Sequence, residues 1–138
     1  MSTFDRHILF LDDDENRHEI FKEDTAHLTN DFIVEAFSYS HVVEIFNRFT
    51  PDTWDIVFLD HDLGVEDQMC IPDVTNRFPT GSDVARYMVE NGIKAKKIII
   101  HSYNSVGAAN MINIFKEIGV TAIYHPFDAG LKDYLHVE

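Results

Sequence analysis

The stretch Asp55-Ile56-Val57-Phe58-Leu59-Asp60-His61-Asp62-Leu63-Gly64 sets an apolar run of β-forming residues against an abrupt polar end. A run of this kind, bounded by carboxylates, reads as a strand buried on both faces of a parallel sheet. In an open α/β sheet ligands bind beyond the carboxyl ends of the strands, so Asp60, His61 and Asp62 stand where chemistry is expected. A solvated turn with an Asx cap is the competing reading, because aspartate is common wherever a strand ends.

Upstream, His7-Ile8-Leu9-Phe10-Leu11 repeats the pattern and runs into Asp12, Asp13, Asp14 and Glu15. Asp14 is placed to cap a helix reaching to about Leu28, whose acidic first turn suits the helix dipole. Residues 32–37 read as the next strand. Val42, Ile45, Phe46 and Phe49 then fall at i, i+3, i+4 and i+7, one face of a helix that Pro51 closes.

Downstream, residues 63–80 carry Gly64, Pro72 and Pro79 and no period, which in a domain of this size favours a substrate-facing loop. Gly81-Ser82-Asp83 opens a helix with Val84, Ala85, Met88 and Val89, ended by Asn91-Gly92. Residues 97–100 form the fourth strand, ending in His101, Ser102 and Asn104. Ala108, Met111, Ile112 and Phe115 keep helical spacing up to Gly119, residues 120–124 form the fifth strand, and His125-Pro126 follows. Leu131, Tyr134 and Leu135 fit a short last helix. Strand and helix alternate five times, which with right-handed crossovers predicts a doubly wound parallel sheet of flavodoxin-like order 2-1-3-4-5.

The whole chain agrees with a single domain spanning residues 1–138. Its 138 residues are 45% hydrophobic and 25% charged, a globular composition able to bury about two-thirds of the unfolded surface. No apolar segment nears the roughly 18 residues of a membrane span and no basic leader precedes one, so a soluble, cytoplasmic-type protein without membrane contact is expected. Cys70, the only cysteine, has no ligand-spaced partner and is expected to be inert. A net charge of -13 argues against binding duplex DNA, where affinity comes from lysine and arginine on phosphates. A bound divalent metal would neutralise part of that charge.

In the predicted order the switch point lies between the first and third strands. Asp12 and Asp13 then stand beside Asp60, His61 and Asp62, with His101, Ser102 and His125 on adjoining strand ends. The second strand, remote from the crevice, ends only in Ser38, Tyr39 and Ser40, so the cluster reads as functional. His7, His18, His27, His41 and His136 fall at strand starts or helix surfaces and are assigned no role.

These residues resemble the receiver domain of two-component response regulators over nearly the whole chain. The family pattern has an acidic pair after the first strand, here Asp12 and Asp13, and a phospho-accepting aspartate after the third, here Asp60. A Ser or Thr follows the fourth, here Ser102, and a Lys-Pro, typically cis, follows the fifth, where this chain has His125-Pro126-Phe127. The family lysine is thus replaced by His125, Tyr103 stands where a small residue is usual, and Ala122 where the switch aromatic is usual. The combination of Leu-Asp-Asp-Asp, Leu-Asp-His-Asp-Leu-Gly, Thr-Gly-Ser-Asp-Val-Ala, His-Ser-Tyr-Asn and His-Pro-Phe is similar to the cyclic-phosphate processing receivers, found often in phages and bacteria. That resemblance implies action on cyclic nucleotides or RNA 2′,3′-cyclic phosphate ends, so a small phosphorylated substrate or an RNA end is the expected partner.

The residue chemistry is compatible with that expectation. Asp12, Asp13 and Asp60 can supply the oxygen ligands that Mg²⁺ or Mn²⁺ wants. His61, His101 and His125, with an ordinary pKa of about 6.5, can give or take a proton at neutral pH, and such catalysis contributes about 10²–10⁴-fold. Ser102 would donate to a phosphate oxygen, and Asn104 either does the same or turns the chain. Whether Asp60 attacks or water does is left open. The other expectation is an atypical receiver, a metal- or phosphate-binding signalling module without catalysis.

Overall fold

The computed structural model describes residues 4–49, 51–63, 79–127 and 131–135. Five strands, β1 (His7–Leu11), β2 (Phe32–Ala36), β3 (Trp54–Leu59), β4 (Ala95–Ile100) and β5 (Ala122–Tyr124), alternate with α1 (Glu15–Thr25), α2 (Tyr39–Arg48), α3 (Gly81–Glu90) and α4 (Ser105–Lys116). All pairings are parallel, in the order β2-β1-β3-β4-β5, as the alternating pattern predicts. The expected substrate-facing loop and Cys70 lie mostly or wholly outside the described residues, as does His136.

Period-two alternation along β1 sorts its side chains to two cores. Leu9 and Leu11 join Val57, Leu59, Ile98 and Ile100 beneath α2, α3 and α4. Ile8 and Phe10 join Ile56, Phe58 and Ile99 on the opposite face, covered by Phe21 of α1 and by Phe127, Leu131 and Leu135. The central strands are buried on both sides, which is why β3 reads as a continuous apolar run. Only His18, Phe21 and Thr25 of α1 are buried, and Phe21 stacks on Phe10 at 4.2 Å between ring centroids.

The caps follow the sequence. Asp14 accepts the Arg17 N–H at the start of α1, and Thr80 and Asp83 form a reciprocal capping box at the start of α3, satisfying backbone donors that a helix leaves open. Some boundaries differ from expectation. The first helix ends at Thr25, the fourth strand starts at Ala95, and the fifth is cut to Ala122–Tyr124. The last helix is a single 3-10 turn, Lys132–Tyr134, flanked by buried Leu131 and Leu135. Two buried leucines anchor one turn without the repeat needed to propagate a helix.

Candidate active site

The strand ends are in register: Leu11 pairs with Leu59, Leu59 with Ile100, and Ile100 with Tyr124. The ladder runs one residue further, because Asp60 N donates to Leu11 O, His101 N to Leu59 O and His125 N to Ile100 O. Asp12, Asp60, His101 and His125 therefore form one row along the sheet edge. Neighbours in register point to the same face, and here that is the α1 side, opposite Leu11, Leu59 and Ile100. The next residues, His61 and Ser102, turn toward α3 and α4.

On the α1 side the acids converge on a cation that the sequence reading did not single out. Arg17 donates through Nε to Asp12 Oδ2 at 2.6 Å and through Nη2 to Asp12 Oδ1 at 2.9 Å. Its guanidinium also stands 3.6 Å from Asp60, 3.8 Å from Asp13 and 3.7 Å from Asp14. Burial alone would push the Asp12 carboxyl up, but hydrogen bonds from His101 and Arg17 outweigh it and hold the group at about 2. Asp60 shares little of this relief. Burial, then the charge of Asp12, raises its carboxyl to about 7, against the pull of Arg17 and a 2.8 Å bond from the His61 N–H. Asp13 is also pushed up, by burial and then by Asp12.

His101 is fully buried, stacked on Phe10 at 4.9 Å and edge-on to Phe127. Its Nε2 lies 3.0 Å from Asp12 Oδ2, and its Nδ1 has no hydrogen-bond partner among the described residues. Burial lowers its pKa despite the neighbouring Asp12, which favours a neutral ring donating Nε2–H to the carboxylate. His18, expected on a helix surface, is buried instead. Its Nδ1 meets Glu35 and its Nε2 the Asp12 carbonyl, each at 2.7 Å, so it ties α1 to the backbone of the acid pair.

On the other side His61 Nδ1 lies 2.8 Å from Asp62 Oδ1, which also accepts from Asn104 Nδ2 at 3.1 Å. The hydrogen bond from His61 holds the Asp62 carboxyl below its ordinary range. The His61 ring lies over Gly107 of α4, where a Cβ would stand 2.4 Å from its Cγ. Gly81 likewise lets α3 start against the Asp60 carbonyl, which a Cβ there would overlap. Asn104 caps α4 by accepting the Gly107 N–H, so its main visible work is to turn the chain. Ser102 Oγ accepts the Asn104 N–H and leaves its own proton for another acceptor.

Between the two sides opens a cleft of about 320 Å³ lined by Asp13, Asp14, Arg17, Asp60, Asp62, Ser102 and Tyr103. Asp12 and His101 lie beneath it. Together with Asp60 they offer one donor atom each, all within 4.8 Å of one another, a group able to hold a metal ion. Asp13, expected as a ligand, stands at the cleft wall. His125, expected as a catalytic group, ends the row on the edge strand with its ring against Tyr134 at 5.0 Å. The bond from His125 to Pro126 is trans, unlike the isomer the family resemblance implied. A signal for Arg17 existed in the sequence: it is a cation in the first turns of a helix, where the dipole disfavours one.

Among the described residues no helix is long and apolar enough to cross a membrane. Solved receiver domains share the fold. The chemotaxis protein CheY4 of Vibrio cholerae superposes with a TM-score of 0.62 at 12% identity, covering 94% of this chain and 92% of that one. A CheY-like receiver domain protein from Methanospirillum hungatei gives 0.61 at 18%, covering 94% and 87%. The response regulator TrrA of Thermotoga maritima, solved in complex with Mg²⁺ and BeF, gives 0.60 at 20%, covering 89% and 90%. No curated protein matches. The family model described as "Cyclic-phosphate processing Receiver domain" matches residues 7–117, and with the acid row in place on its five-stranded sheet, the chain belongs to that family.

Proposed function

We propose that this chain is a metal-dependent phosphoesterase acting on cyclic phosphates, either nucleotides or 2′,3′-cyclic RNA ends. The observation that carries the reading is Asp60: a carboxyl at about neutral pKa, facing a cleft that also holds a guanidinium and a serine hydroxyl. A carboxyl that burial and a neighbouring negative charge keep from ionising freely is one that a bound divalent cation would relieve.

Two carboxylates and an imidazole within 4.8 Å, one of the carboxylates ionised only with difficulty, suit a divalent cation. Asp12 and Asp60 would hold Mg²⁺ or Mn²⁺, with His101 behind Asp12. Bound there, the ion would stabilise negative charge on the phosphate oxygens. Arg17 and Ser102 donate to a phosphate seated in the cleft. The Asp62 carboxylate fixes the His61 tautomer with the proton on Nδ1 and leaves Nε2 to move a proton to or from the ring-opened oxygen. His101 orients Asp12; neither His61 nor His125 is in the cleft lining, and His61 borders it only through its partner Asp62.

The test is ring opening across a panel of 2′,3′-cyclic nucleotides and cyclic-ended RNA, followed by ³¹P NMR with and without Mn²⁺. Turnover that needs Mn²⁺ and falls about 10²-fold or more in His61→Ala is expected. Inertness toward the whole panel would end the proposal. A second reading, a phosphate-binding signalling module, draws on Asp60 standing at the receiver phospho-accepting position. Stable phosphorylation of Asp60 by a small phosphodonor in an otherwise inert protein would favour it.

A further inference from the structure

We infer that Arg17 is a built-in counter-ion that the divalent cation displaces from Asp12, and that the released guanidinium becomes the phosphate clamp of the cleft. The inference rests on the metal and phosphate sites of the preceding reading, though not on turnover.

Arg17 occupies both oxygens of Asp12 in a two-pronged grip and leans on Asp60. Asp12 Oδ1 also accepts the Asp14 N–H and Oδ2 faces His101. With the guanidinium in place, a hard cation finds few open lone pairs on Asp12 and a like charge beside it. Ion and guanidinium therefore compete for the same carboxylate. Arg17 has somewhere to go, because it already lines the cleft and its guanidinium carbon lies 5.7 Å from the centroid of the Tyr103 ring. A planar fork that grips a carboxylate grips a phosphate with the same geometry.

Two experiments on the full chain decide it. In wild-type protein, the ¹⁵N-edited NMR resonance of Arg17 Nε–H should sit at a hydrogen-bonded shift without metal and move away at saturating Mg²⁺. A resonance that persists unchanged overturns the inference. Calorimetry of R17Q should show Mn²⁺ binding about tenfold tighter than wild type, the factor expected if about nine-tenths of the metal-free protein holds the clamped state. In Mg²⁺, R17Q should bind inorganic phosphate more weakly than wild type. Unchanged phosphate binding, weaker Mn²⁺ binding, or no Mn²⁺ binding by either protein overturns it. If R17Q does not fold, the NMR measurement alone decides. Because none of these readouts needs catalysis, inertness toward cyclic phosphates would sink the phosphoesterase reading and leave this one standing.

Discussion

Replacing Asp60 with asparagine should stabilise the metal-free protein, and the gain should grow with pH. The Asp60 carboxyl is raised from 3.8 to about 7, chiefly by burial and then by the charge of Asp12. An acid raised in the native state keeps its proton after the unfolded chain has lost it. Between about pH 4 and pH 7 the unfolded state therefore binds fewer protons, and stability falls as pH rises. At about 1.4 kcal/mol per pH unit the full loss is about 4 kcal/mol, complete by about pH 8, with about 1 kcal/mol of it already present at pH 4.5. Asparagine, neutral throughout, escapes the loss. Urea unfolding followed by circular dichroism in a chelator should show Asp60→Asn ahead by about 1 kcal/mol at pH 4.5 and by about 4 kcal/mol at pH 8. A difference that stays flat with pH would refute the assignment of Asp60 as the strained acid. Magnesium supplies the converse test, since an ion a hundredfold above its Kd stabilises the native state by about 2.7 kcal/mol. Wild type should gain this and Asp60→Asn should gain little; an unchanged metal response in the variant would place the ion elsewhere.

Two further outcomes follow from the same geometry. Gly107→Ala should push the His61 ring aside and lower turnover of a cyclic phosphate, yet in a His61→Ala background, with the clash removed, it should add about 1 kcal/mol of helix propensity; equal stability effects in both backgrounds would show that the ring does not rest on Gly107. Asp12, held at about 2, contributes stability above its ordinary 3.8 that is lost as pH falls toward 2, so in an Asp60→Asn background, where relief of Asp60 cannot offset the loss, Asp12→Asn should cost about 2 kcal/mol at pH 7 and much less near pH 2. A cost that does not shrink in acid titration would mean Asp12 acts only through packing.

The order of the sheet and the location of the site were legible because apolar period and polar strand ends are local properties. The run at residues 55–59 reads as a two-face-buried strand from composition alone, and switch-point topology then brings Asp12, Asp60, His101 and Ser102 to one edge. Asn104 was legible as a choice between phosphate donor and turn, and the Gly107 N–H it accepts shows the turn.

What the sequence does not determine by itself is which side of the sheet each end residue serves. That depends on register: Leu11, Leu59, Ile100 and Tyr124 finish level, so Asp12, Asp60 and His101 face α1 while His61 faces α4. His125, the fourth of the row, has its ring against Tyr134. The charge balance was equally hidden. Three converging carboxylates read from sequence as a demand for metal, but Arg17 answers part of it from α1, five residues from Asp12 in the chain. Only packing of α1 on the sheet through Phe21 and His18 carries that guanidinium to the acids.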